Sequence, residues 1–97
     1  MFAVVGRVRI KPGQEKLTRQ MVSDHGADMF RGMAGSCHAY WSRHADEGSD
    51  LIQHSFWLFD SAENALAAQA TFNTLRDMSD APAEWISCDV CEVIGEA

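Results

Sequence analysis

The residues in this chain best suited to chemistry are its histidines, because imidazole trades a proton near neutral pH. Two of the four sit among apolar neighbours. His54 alternates with Ile52, Phe56 and Leu58 in a strand pattern, so its ring stands in an apolar pocket if that face turns toward the helices. His25 lies four residues from both Met21 and Met29 on a helical stretch, at the edge of an apolar stripe. A plainer reading stays open for each: a core histidine held by one hydrogen bond for His54, a helix-flank histidine near solvent for His25. Trp41, Phe30 and Phe72 can wall an aromatic pocket or simply fill a core. Arg76 can reach toward a phenolate or carboxylate, or face solvent.

Other groupings carry less. Cys88-x-x-Cys91 has a redox-like spacing but lies inside a strand pattern. There the odd offset sends the two side chains to opposite faces, whereas redox pairs sit at helix N-termini. With Cys37 the cysteines are odd in number, which implies no disulfide framework, and no second ligand pair follows at zinc spacing. His44, Asp46, Glu47 and Asp50 fall in a polar turn without rigid ligand spacing, so no metal is expected. No nucleophile elbow, phosphate loop or dinucleotide fingerprint is present.

The elements that must position these residues read strand, helix, strand, strand, helix, strand. Phe2 to Ile10 alternates, with Phe2, Val4, Val8 and Ile10 on one face and Gly6 between them; mid-strand, that glycine marks a bulge or a close approach. Pro12-Gly13 breaks the strand, and a helix follows over roughly 14–33, with Leu17, Met21, Val22, Met29, Phe30 and Met33 as its apolar stripe and Gly35 as its stop. Cys37 to His44 is the second strand, with Cys37, Ala39 and Trp41 opposite His38, Tyr40, Ser42 and His44; Leu51 to Phe59 is the third. Asp60 or Ser61 caps a second helix whose stripe is Ala65, Ala68, Phe72 and Leu75, ending near Met78. Ile86 to Ile94 is the last strand. The order predicts an α+β, ferredoxin-like βαββαβ domain over residues 1–97, with an antiparallel sheet covered by helices on one face. Strands apolar on both faces need cover on both, so the sheet's other face predicts a homodimer.

Composition narrows the function classes. Lys plus Arg number 8 against 14 Asp plus Glu, a net charge of −6, and no basic stripe stands out. Nucleic acid and anionic membrane are therefore not expected partners. No apolar run approaches the ~20 residues that span a bilayer. The opening Met1-Phe2-Ala3 lacks a charged leader region, so a cytoplasmic location is expected.

Three stretches together resemble the antibiotic biosynthesis monooxygenase domain family of the dimeric α+β barrel group, across essentially the whole chain. They are Arg9-Ile10-Lys11-Pro12-Gly13-Gln14-Glu15, Gly35-Ser36-Cys37-His38-Ala39-Tyr40 and Phe56-Trp57-Leu58-Phe59-Asp60-Ser61-Ala62-Glu63. The resemblance implies a dimeric barrel with a pocket between sheet and helices in each subunit. It also implies oxidation of anthrone- or hydroquinone-like aromatics without metal or flavin, and so no cofactor. Such an oxygenase needs a base that ionises the substrate so that the carbanion passes an electron to oxygen. His54 is expected in that role with His25 second, and Trp41, Phe30, Phe72 and Arg76 are expected to bind substrate. Trp57 matches the family's tryptophan, and its strand face suggests barrel packing. The heme-degrading branch uses an Asn in the first strand and a Trp and a His on the second helix; here Gly6, Leu66 and Arg76 stand there, so heme turnover is not expected. Where many members carry Pro-His, this chain has Ala70 and Thr71. The alternative is a non-catalytic dimer binding a hydrophobic ligand or a protein partner.

Overall fold

Alternation of apolar residues with a period of two dictates the strands, and the computed structural model shows which side each face takes. It describes residues 1–43, 51–76 and 81–97, with every side chain among them except that of Leu75. The turn holding His44, Asp46, Glu47 and Asp50, and the helix end at Met78, lie outside them.

The elements are β1 (Phe2–Ile10), α1 (Glu15–Met21), a π-helical turn (Val22–Gly26), α2 (Ala27–Arg31), β2 (Ser36–Arg43), β3 (Leu51–Phe59), α3 (Ala62–Arg76) and β4 (Ala83–Glu92). The sheet order is β2-β3-β1-β4 with every pairing antiparallel, the split βαβ arrangement of the ferredoxin-like fold. Helices cover one face. Val4, Trp57, Phe59 and the α3 residues Ala65, Ala68 and Phe72 bury there together with Phe30 from α2. Ser61 caps α3 by accepting the Asn64 amide at 3.2 Å.

One boundary and two register slips depart from the sequence reading, each for a local reason. β4 begins at Ala83, because it pairs with β1 out to Ile10 and the Lys11 amide donates to the Pro82 carbonyl at 3.0 Å. The register slips between Arg7 and Val8, where Ile86 is left without a partner on β1. Cys37 is likewise skipped where β2 meets β3, which removes it from the face of Ala39 and Trp41 and leaves it exposed.

The first helical stretch is not one α-helix. At about 100° per residue, Phe30 would sit roughly 120° around a continuous α-helix from Thr18. The wider π turn between them brings both onto the buried side. Leu17, Met21 and Met29 of the expected stripe are instead largely exposed. Among the described residues no helix is long and apolar enough to cross a membrane.

Gly35 holds the join between α2 and β2. Its φ is +71°, and a side chain there would run into Asp60 and Asn64 at the head of α3. Its carbonyl accepts the Asp60 amide at 3.0 Å, carrying the β2–β3 ladder one step beyond the Ser36–Phe59 pair. Gly35→Ala should cost about 1–3 kcal/mol from the left-handed backbone alone, with the collision added. Urea denaturation checks it, and an unchanged midpoint would remove Gly35 as a constraint.

Candidate functional site

A cavity of about 770 Å³ lies between the sheet and the α1–α2 stretch. Its floor comes from inward-facing sheet residues: Val8 and Ile10 of β1, Trp41 of β2, Gln53, Ser55 and Trp57 of β3, and Ala83 and Trp85 of β4. Met21, Val22, His25, Gly26 and Met29 roof it, and Phe72 of α3 closes one end. The lining is predominantly apolar and aromatic with few polar groups, the make-up of a small-molecule pocket.

Aromatic edges set its shape. Trp57, 3 % exposed, meets Phe72 at 4.4 Å, Phe30 at 5.0 Å and Trp41 at 5.4 Å between ring centres, all edge-on. Trp85 stands 5.9 Å from Phe72. Gly6 makes room for this arrangement: a Cβ there would fall 2.6 Å from Ser55 Oγ and 3.5 Å from the Trp85 ring. Of the two sequence readings for Gly6, the close approach holds at the residue itself, whereas the bulge lies further along, at Ile86 of β4 opposite the Arg7–Val8 step.

The polar edge is organised by Arg43, which stands outside the lining. Its Nε donates to Gln53 Oε1 at 2.8 Å, one Nη to the Glu15 carbonyl at 2.8 Å, and the other to Thr18 Oγ1 at 2.6 Å. Thr18, buried at the cavity wall, donates in turn to the Gln14 carbonyl at 2.8 Å. Burial first and then the neighbouring Arg19 lower the Arg43 pKa, against Glu15. A guanidinium nonetheless keeps its charge.

The structure sorts the expected site residues. Trp41 and Phe72 line the cavity, and Phe30 stands behind Trp57 as its support. His25 lines it from the π turn, an element frequent at functional sites, and is at the same time exposed, as the helix-flank reading has it. His54 does not line it. Gln53, Ser55 and Trp57 point inward, so the face of Ile52, His54, Phe56 and Leu58 turns away from the helices; His54 lies between Arg7 and Ser42 in the sheet. Trp57 is corrected the opposite way, from barrel face to helix-facing core. Arg76 is exposed and outside the lining, at the side of α3 where its charge reaches Cys88. Burial, then Asp89, raises the Cys88 pKa, which suits a packed thiol. Among the described residues no cluster of His, Cys, Asp or Glu could hold a metal.

Thr18, Arg43, Gln53 and Trp85 were not singled out by the sequence. A usable signal existed for Gln53, which shares the alternating face of Trp57.

No protein family matches the sequence, and no curated protein does. The fold, however, has solved counterparts. A mutant of MhuD with two manganese protoporphyrin IX molecules bound per active site superposes with a TM-score of 0.67 at 12% identity, over 100% of this chain and 98% of that one. An EthD family protein from Bacillus halodurans C-125 superposes with a TM-score of 0.62 at 10% identity, over 97% of this chain and 100% of that one. At such identity the likeness is one of fold. The chain has the ferredoxin-like fold of these proteins.

Phe72→Ala should destabilise the domain by about 3–5 kcal/mol, because it removes a buried ring from between Trp57 and Trp85. Met29→Ala at the exposed roof should stay within about 0.5 kcal/mol. Thermal unfolding of both variants checks the division between wall and roof, and equal losses would contradict it.

Proposed function

We propose that the cavity binds a flat aromatic molecule and that the protein is a cofactor-independent monooxygenase acting on an anthrone- or quinol-like substrate. The observation that carries this is an aromatic-walled cavity of about 770 Å³ with, among the described residues, a single imidazole on its lining. His25 takes the role of base, in preference to His54. The imidazole accepts a proton from the activated ring carbon, and the apolar walls hold the flat carbanion against the sheet floor. The carbanion gives one electron to dioxygen, and the resulting radical pair joins as a peroxide. The imidazolium returns its proton, and the hydroperoxide loses water to leave a carbonyl. One oxygen atom enters the product and the other leaves as water, so no external reductant is needed.

The MhuD structure raises porphyrin as a ligand class, but α3 here carries no histidine, and Arg76 lies outside the cavity. A second reading has an observation in its favour. Among the described residues no side chain hydrogen-bonds His25, and an imidazole base is ordinarily oriented by a partner. The second reading is a binding domain for the same aromatic ligands without turnover.

Oxygen uptake by metal-stripped protein offered anthrone separates the two. Uptake should fall at least about 100-fold in His25→Ala and stay within about twofold in His54→Ala. Loss in His54→Ala alone would return the base to the opposite sheet face. Saturable anthrone binding without uptake would leave the binding domain.

The homodimer belongs to the same proposal. The face bearing His54 also carries Tyr40 at 60 % and Phe56 at 39 % exposure, flanked by Val5, Ile52 and Leu58. Among the described residues no helix covers it, and a second copy would bury these side chains. Sedimentation equilibrium should give a dimer for the native chain and a folded monomer for Phe56→Glu. A monomeric native chain would sink the barrel.

A further inference from the structure

Besides the indole N–H groups of Trp41, Trp57 and Trp85, four polar side chains of the described residues reach the cavity lining: Thr18, His25, Gln53 and Ser55. They are not equally available to a ligand. The Thr18 hydroxyl is spent, donating to the Gln14 carbonyl and accepting from Arg43. Ser55 Oγ, close beside the Gly6 backbone, is a hydroxyl that both donates and accepts and so selects neither kind of ligand group. Gln53 differs, because a carboxamide can present either a donor or an acceptor by turning over.

Arg43 removes that choice. A guanidinium N–H can only donate, so the Gln53 atom 2.8 Å from Arg43 Nε must be the carbonyl oxygen. The amide nitrogen is then the group Gln53 has left to offer. Arg43 is itself fixed by its bonds to the Glu15 carbonyl and to Thr18. A cationic donor on the carbonyl also polarises the amide and strengthens its N–H groups as donors.

We propose that Gln53 is the specificity-determining donor of this cavity, reading a carbonyl or phenolate oxygen on a flat ring system, and that Arg43 is the positioning residue that sets its polarity. The inference rests on the cavity being an aromatic ligand site and adds which edge of the ligand it recognises. A ring that presents an N–H donor at that edge meets a second donor and is rejected, since neither group finds a partner.

Three rigid probes of one shape test it: 9-fluorenone with an acceptor oxygen, fluorene with none, and carbazole with an N–H donor. Quenching of tryptophan emission reads their binding, and circular dichroism confirms the fold of each variant. The native protein should bind fluorenone about five- to tenfold more tightly than fluorene, the worth of one hydrogen bond, with carbazole weakest. Gln53→Leu should bind all three alike. In Arg43→Met the amide is free to turn over, so carbazole should gain on fluorenone, a change of sign that mere loosening would not produce. Equal binding of the three probes by the native protein would overturn the donor assignment while leaving the aromatic site in place. A fluorenone preference that survives Gln53→Leu would do the same. An unchanged order in folded Arg43→Met would overturn the positioning role. Failure of all three probes to bind would overturn the inference together with the reading of the cavity beneath it.

Discussion

The rest of the structure depends on the indole of Trp57. It takes edge-on contacts from rings on three different elements, Phe30 of α2, Trp41 of β2 and Phe72 of α3. Each such pair adds about 0.5–1.5 kcal/mol beyond burial, so this one residue binds the helical layer to the sheet. On one side of it lies the filled core of Val4, Phe59, Ala65 and Ala68; on the other lies the cavity. Trp57 Nε1 is buried without a hydrogen-bond partner among the described residues. An unmet buried donor costs about 1–3 kcal/mol. The three ring contacts offset that cost, and they explain why the indole holds its place at the boundary between core and cavity.

Trp57 also decides the sidedness of the sheet. Side chains alternate along β3, so an inward Trp57 puts Gln53 and Ser55 inward and His54, Phe56 and Leu58 outward. Pairing carries this to the neighbours: Ala39, Trp41 and Arg43 of β2 sit opposite Trp57, Ser55 and Gln53, while Tyr40 and Ser42 sit opposite Phe56 and His54. The two faces therefore have separate tasks. The inner one supplies the cavity and its hydrogen-bond donors. The outer one mixes apolar side chains with Arg7, Arg9 and the tilted His38 and Tyr40 rings, 4.8 Å apart.

Element order, the α+β class and the apolar side of α3 were legible in the sequence, because they follow from periodicity and turn residues. Ala65, Ala68 and Phe72 bury as their helical spacing requires. The face of β3 was not legible, because both of its faces are apolar and periodicity alone cannot choose between them. That ambiguity put His54 in a pocket that belongs to its neighbours in sequence. The bulges at Cys37 and Ile86 left no composition signal. Nor did the π turn, which adjusts the angular spacing of Thr18 and Phe30. Arg43 was invisible for a different reason: its three acceptors come from Gln53, Glu15 and Thr18, scattered along the chain.

The position of the π turn follows from how the helical stretch is held. At one end Arg43 straps α1 to the sheet through Glu15 and Thr18; at the other, Phe30 packs on Trp57 and on Phe59, 5.7 Å away. Between these anchors Met21, Val22, His25, Gly26 and Met29 pass over the cavity rather than onto a filled core. A wide turn costs least where neighbouring packing demands no particular helical phase, and the two anchors together demand a change of phase somewhere between them. The middle of the span satisfies both conditions. The same segment carries His25, the one imidazole among the described residues on the cavity lining, so that side chain sits midway between the two anchors.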